Sequence, residues 1–319
     1  MLRNESGLIP QIPSGGPVLK LDFPGLRMGI AEYDEGPTGC TVLSFPAGAA
    51  SAVDVRGGSP GLIGGYERVD AVCFAGGSLY GLEAATGVAS EILTARNTAI
   101  WGSIACVSGA IIYDFGSRSN LIYPDKTLGR AAFLAAQEGY FALGQRGAGR
   151  SASVGKIRGS DRFDHEPGGQ GGAFCAIGNL RFAVLTVVNA MGAVLNEDGT
   201  VLRGFVDRQT GQRMHLRRIM AEHPEELETA AGECGGNTTI SAVVVNLRLS
   251  QRELSQLARQ VHAAMAAVIQ PFHTINDGDI LFALSTGRID AATYDLMALG
   301  QICSELACKA VRTAVCPEI

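Results

Sequence analysis

Short apolar blocks separated by glycine, proline and polar turns recur along the chain, and their periods predict alternating strands and helices. Residues 1–40 are rich in Gly and Pro and read as a wrapping arm with short strands. Residues 41–57 read as a strand that ends in the Arg56-Gly57-Gly58 turn. Asp70 to Ala75 is a buried strand, followed by the glycine turn Gly76-Gly77 and a helix to about Arg96. Leu82, Ala85, Val88, Ala89, Ile92 and Leu93 share one face of that helix. Residues 98–115 read as one or two apolar strands, 129–139 as a short Ala-rich helix and 160–172 as a polar, glycine-rich loop. Phe182 to Val194 is a buried strand pattern that contains Asn189. Residues 203–235 carry many Arg and Glu residues with little apolar periodicity and read as an exposed linker. A valine-rich strand at 240–249 follows. Ser250 and Glu253 then form a capping box for a helix whose stripe is Leu254, Leu257, Val261, Met265 and Val268. Ile280 to Leu284 is a further strand, and Ala291 to Val315 a long apolar helix.

Composition narrows the class. The 319 residues, 46% of them hydrophobic, suffice for one large core. A net charge of −5 gives no electrostatic case for nucleic acid. The longest apolar stretch, Phe182 to Leu195, is too short to span a bilayer, and the first residues lack the apolar core of a signal peptide. The expectation is a soluble cytoplasmic protein with no membrane contact. Eight scattered cysteines without a Cys-x-x-Cys pair read as buried reduced thiols, with no metal and no cofactor.

Chemistry concentrates in Gly235-Gly236-Asn237-Thr238-Thr239-Ile240, where a small-residue arm runs into a core strand. A Thr in that place suits an N-terminal nucleophile. Cleavage before it would put a hydroxyl and an α-amine on one residue, and the amine could serve as the base. A plain Gly-Asn turn before a strand is the competing reading. Three other groups stand out. Gly76-Gly77-Ser78-Leu79-Tyr80, between a strand and a helix, could present N–H groups to an anion. Gly149 to Lys156 falls short of a phosphate loop: five residues rather than four separate Gly149 from Gly155, and Ile157 stands where Ser or Thr belongs. That leaves Lys156 as a lone cation, either at a site or snorkelling at the surface. A buried Asn189 must satisfy its amide, as a structural bond or as a donor aimed at a site.

Taken in order, Gly39-Cys40-Thr41-Val42, Val53 to Gly58, Gly76 to Leu82, Gly147 to Lys156, Val188-Asn189, Asn237 to Ile240 and His273 to Asp279 resemble the L-aminopeptidase/D-esterase family. This family includes β-peptidyl aminopeptidases and nylon-oligomer hydrolases, and the resemblance covers nearly the whole chain. It implies an α/β fold, a four-layer α-β-β-α sandwich like that of ornithine acetyltransferases, in a single hydrolase domain over 1–319. It implies self-cleavage between Asn237 and Thr238 into an α chain of 1–237 and a β chain of 238–319. It implies Thr238 as nucleophile, Lys156 beside it, Asn189 pointing at the oxyanion, and Asp277 and Asp279 orienting the nucleophile. Gly77, Ser78 and Tyr80 are the expected substrate-binding residues, although Tyr80 stands where many relatives have Phe. The implied substrate is a short peptide or a β- or ω-amino acid amide, and the implied assembly a homo-oligomer, tetramer or larger. An acyltransferase of the ornithine-acetyltransferase type and a non-catalytic binding protein are the alternatives.

Overall fold

The computed structural model describes residues 2–115, 118–157, 159–226, 236–292 and 294–318. Its main sheet is built from β1 (Arg27–Tyr33), β2 (Thr38–Val55), β3 (Leu62–Ile63), β4 (Arg68–Ala75), β5 (Val107–Ile111), β6 (Gly169–Ile177), β7 (Leu180–Asn189), β8 (Thr238–Arg248) and β9 (Ile280–Asp290). The strand order is β6-β7-β8-β9-β2-β4-β5-β3, with β1 also on β2. The pairs β8–β9 and β4–β5 are parallel and the others antiparallel. The helices are α1 (Glu83–Arg96), α2 (Lys126–Leu134), α3 (Leu216–Glu222), α4 (Gln251–Ala264) and α5 (Leu296–Val315). The fold is mixed α/β.

Strand β2 joins the two parts of this sheet. Its first half pairs with β1 and β4 and its last residues with β9. The register slips between Ser44 and Ala49, where Gly48 has φ 75°, and such an irregularity bends a strand. Side chains alternate across each strand, so the apolar residues sort into separate cores. Val243, Val245 and Leu247 of β8 meet Leu254, Val261, Cys303, Ala307 and Val311 of α4 and α5. Ile240, Ala242 and Val244, on the other face of β8, pack with Leu43, Phe45, Val72, Phe74 and Phe282. Cys40, Val42, Ala71 and Cys73 pack with Ala84, Val88, Ile92, Leu128 and Ala132 of α1 and α2.

The helix ends follow local capping. Ser250 and Glu253 form the expected box at α4. Asp125 accepts from the Leu128 N–H and starts α2 at Lys126, three residues earlier than the alanine pattern suggests. Asp295 accepts from the Met297 N–H, so α5 begins at Leu296 and not at Ala291.

Two sequence expectations are corrected. The glycines of the supposed loop at 160–172 run into β6, because a helix lies directly on that strand. A Cβ at Gly171 would stand 2.0 Å from the Ala310 carbonyl oxygen, and one at Gly169 would stand 2.8 Å from that of Ala314. The linker expected at 203–235 is structured up to residue 226. Phe205, Met214 and Ile219 are buried together with Phe163 and Leu195. Three charges of this segment are paired at long range, Arg203 and Arg213 with Glu166, and Asp207 with Arg162. Residues 227–235, including Cys234, lie outside the described residues. The seven described cysteines carry free thiols. Among the described residues no helix is long and apolar enough to cross a membrane.

Candidate active site

Thr238 is the first residue of β8 and is fully buried. Its register partner on β7 is Asn189, and the residue before it, Asn237, bridges to Asp277. The peptide between Asn237 and Thr238 is held residue by residue. Upstream, the Gly236 carbonyl accepts from Lys156 Nζ at 3.1 Å and from Asn189 Nδ2 at 3.2 Å. The Asn237 carbonyl accepts from the Gly278 N–H at 2.9 Å, and the Thr238 hydroxyl lies against the same oxygen. Downstream, the Thr239 N–H donates to Asp279 Oδ1 at 2.7 Å. Gly236 is needed for this path, since a Cβ there would stand 2.1 Å from Tyr113 Cβ.

Lys156 Nζ also donates to the backbone carbonyl of Asn189 at 3.0 Å and to Asn189 Oδ1 at 2.9 Å. Three acceptors take up the three hydrogens of an ammonium. Desolvation pushes its pKa down to about 7, outweighing the upward pull of Asp277 and Asp114. Asn189 Nδ2 donates to the carbonyl of Tyr113 at 2.9 Å as well. The amide that could have been purely structural therefore lies beside the Asn237–Thr238 peptide, with its donors on Gly236 and Tyr113.

The two carboxylates are also buried. Asp279 Oδ2 accepts from the His273 backbone N–H and from His273 Nδ1, each at 3.0 Å. Asp277 Oδ2 accepts from the Thr274 N–H at 2.9 Å and from its hydroxyl at 2.5 Å. Burial first, and the Asp279 charge second, push the Asp277 carboxyl up. The loop carrying both is seated on the Arg56-Gly57-Gly58 turn. The Ser59 N–H donates to the Asp277 carbonyl at 2.9 Å, and the Arg56 N–H to that of Asp279 at 3.1 Å. A Cβ on Gly57 would stand 2.3 Å from both Asp277 O and Asp279 N, so the glycine permits the contact.

Thr238, Lys156, Asn189, Asp277 and Asp279, scattered in sequence, are thus brought together. Gly77, Ser78 and Tyr80 are placed differently. The Gly77 N–H donates to Asp114 Oδ1 at 2.7 Å and the Ser78 N–H to the Ile112 carbonyl at 3.1 Å. Tyr80 is 66% exposed, with its ring against Phe115 and Tyr123. Their link to Thr238 runs through the backbone of 112–114, whose Tyr113 borders Gly236 and Asn189. Sequence reasoning missed the Gly278 N–H as a donor and His273 as a partner of Asp279. The signal for the former was the pairing of an Asp-Gly-Asp loop with a double-glycine turn.

The arrangement puts a hydroxyl against a carbonyl whose oxygen already accepts an N–H, so oxygen attack on that carbonyl carbon has a donor waiting for the developing charge. Comparisons with known proteins place the chain in a family. The model of peptidase family S58 matches residues 21–317. The 6-aminohexanoate-oligomer endohydrolase of Paenarthrobacter ureafaciens is 45% identical over 322 residues, covering 96% of this chain and 88% of the relative. An uncharacterized aminopeptidase of Mycobacterium leprae is 32% identical over 286 residues, covering 81% of this chain and 74% of the relative. Among solved structures, a Burkholderia sp. beta-aminopeptidase aligns with a TM-score of 0.63 at 17% identity, covering 97% of this chain and 90% of that one. The L-aminopeptidase D-Ala-esterase/amidase of Ochrobactrum anthropi, described as a variant of the Ntn hydrolase fold, aligns with a TM-score of 0.60 at 15% identity, covering 95% and 87%. The chain therefore belongs to peptidase family S58 and is a hydrolase of amide bonds.

Proposed function

We propose that this protein cuts its own chain between Asn237 and Thr238 and then uses the freed Thr238 to hydrolyse short linear amides. The observation that carries this reading is the clamp on that peptide, with donors on Gly236 O and Asn237 O and an acceptor on the Thr239 N–H. In the first step Thr238 Oγ1 attacks the Asn237 carbonyl carbon. The Thr238 nitrogen leaves with a proton as the α-amine, and an ester joins Asn237 to the hydroxyl oxygen. Water then opens the ester, giving an Asn237 carboxylate and a free Thr238. The pieces are residues 1–237 and 238–319.

In turnover the same hydroxyl attacks the substrate carbonyl. The new α-amine, with an ordinary pKa of about 7.7–8.0, takes its proton and hands it to the substrate nitrogen, which leaves as an amine. Water then opens the acyl ester on Thr238 to release the acid and restore the hydroxyl. The Gly278 N–H, relieved of Asn237, can receive the substrate oxyanion, with Asn189 and Lys156 beside it. Asp277 and Asp279 orient Thr238 from the β9 side. Gly77, Ser78 and Tyr80 border the substrate side through the Tyr113 segment. The three successive apolar cores support a four-layer α-β-β-α reading of the fold. A homo-oligomer in the cytoplasm completes the proposal.

Relatives at 45% identity are named for oligomers of 6-aminohexanoate, and those at 32–33% are named aminopeptidases. The higher identity favours an ω-amino acid amide over an α-peptide. The test is incubation of the purified protein with linear 6-aminohexanoate oligomers and with p-nitroanilides of α-, β- and ω-amino acids. Release of new amine from the oligomers, faster than p-nitroaniline from α-amino substrates, is expected. Preferential cleavage of the α-amino substrates would return the protein to an ordinary aminopeptidase, and no release from any would remove the turnover reading.

A further inference from the structure

Behind Asp279 lies a group of side chains, half-buried around the buried His262, that the reaction above does not use. His273 has φ 58°, a left-handed conformation that is uncommon outside glycine. That backbone aims both its N–H and its Nδ1 at one oxygen, Asp279 Oδ2. A carboxylate oxygen only accepts, so Nδ1 carries the hydrogen. The ring is confined from two sides. Phe272 stacks on it with centroids 3.8 Å apart, and His262 meets it edge to face at 4.4 Å. His262 is itself held by Asp54 Oδ2, 2.9 Å from its Nδ1, and Asp54 pairs with Arg56 at 2.5 Å. Arg56 returns to the same place, its N–H donating to the Asp279 carbonyl at 3.1 Å. The Nε2 atoms of both imidazoles are buried without a hydrogen-bond partner among the described residues. Orientation, not a full set of hydrogen bonds, is what these rings supply.

We propose that His273 is a positioning residue for Thr238. Through its N–H and Nδ1 it fixes the Asp279 carboxylate, whose other oxygen holds the first peptide N–H after the nucleophile. His262, braced by Asp54, keeps the His273 ring in place. An Asp279 free to rotate would release the Thr239 N–H, and the start of β8 would move relative to the Gly278 N–H. Displacements of about 1 Å at a reacting centre cost up to about a hundredfold in rate.

This inference rests on the self-cleavage reading, and its test uses that reaction, so no substrate need be known. His273→Gly accepts a positive φ without strain but has no side-chain donor. His273→Asn accepts a positive φ comparatively well and places an amide N–H near the position of Nδ1. Each full-length chain is made by cell-free translation, its folding checked by circular dichroism, and the fragments followed over time on denaturing gels. Cleavage of H273N within about threefold of wild type is expected, with H273G slower by on the order of tenfold or more. If H273G does not fold, His273→Gln, whose amide reaches the Nε2 position instead, takes its place and is expected to be equally slow. Wild-type cleavage by H273G or H273Q would overturn the proposal, as would equal impairment of the Asn variant. A wild-type chain that stays whole would instead remove the self-cleavage reading, and this inference with it.

Discussion

Thr238→Ala is expected to leave one intact 319-residue chain that hydrolyses no amide. The substitution removes the side-chain oxygen that lies against the Asn237 carbonyl. The fold should tolerate it. Thr238 is buried, but its β8 neighbours Ile240, Ala242 and Val244 carry the packing there. A loss of about 1 kcal/mol, ordinary for a point substitution, is the expected scale. The chemical loss is far larger, because removing a covalent nucleophile can cost on the order of 10⁶ in kcat. Thr238→Ser keeps the hydroxyl and should still be cut, more slowly, with some turnover. The check is intact mass for the cut and amine release for turnover. Wild-type hydrolysis by the Ala variant would put the nucleophile elsewhere.

The second large effect is expected at Asp279. Asp279→Ala takes the acceptor away from three donors at once, the Thr239 N–H, the His273 N–H and His273 Nδ1. Each buried donor left without a partner costs roughly 1–3 kcal/mol. The melting temperature should fall, and self-cleavage should slow by on the order of a hundredfold or more through loss of alignment. Asp279→Asn keeps one acceptor oxygen and should fall between wild type and Ala. Cleavage half-times in cell-free translation, with thermal melts alongside, separate the two effects. An Ala variant that melts lower yet is cut at the wild-type rate would limit Asp279 to a structural role.

The parts of this site differed in how far they could be read from residues. A small-residue arm entering a valine-rich strand marked Thr238, because burial and strand pairing are local signals. Lys156 and Asn189 could be recognised as unusual but not placed. Their meaning depends on Gly236, a contact between distant parts of the chain. The Asp277-Gly278-Asp279 run reads locally as a solvated turn, and only the family resemblance singled out its carboxylates. Their burial comes from the glycine turn at 57–58, and the key donor is a backbone N–H, which no side-chain pattern announces. The same limit explains β6, whose glycines look like a loop until α5 is laid across them. It also explains residues 203–213, where Arg203, Asp207 and Arg213 look solvated until Glu166 and Arg162 are seen opposite them.

The account turns on one bond, and mass spectrometry of the folded wild-type protein reads that bond directly. Two pieces are expected, residues 1–237 and 238–319, with the smaller beginning Thr238-Thr239-Ile240. A single uncut chain in protein that hydrolyses amides, or a small piece beginning at Thr239, would contradict it.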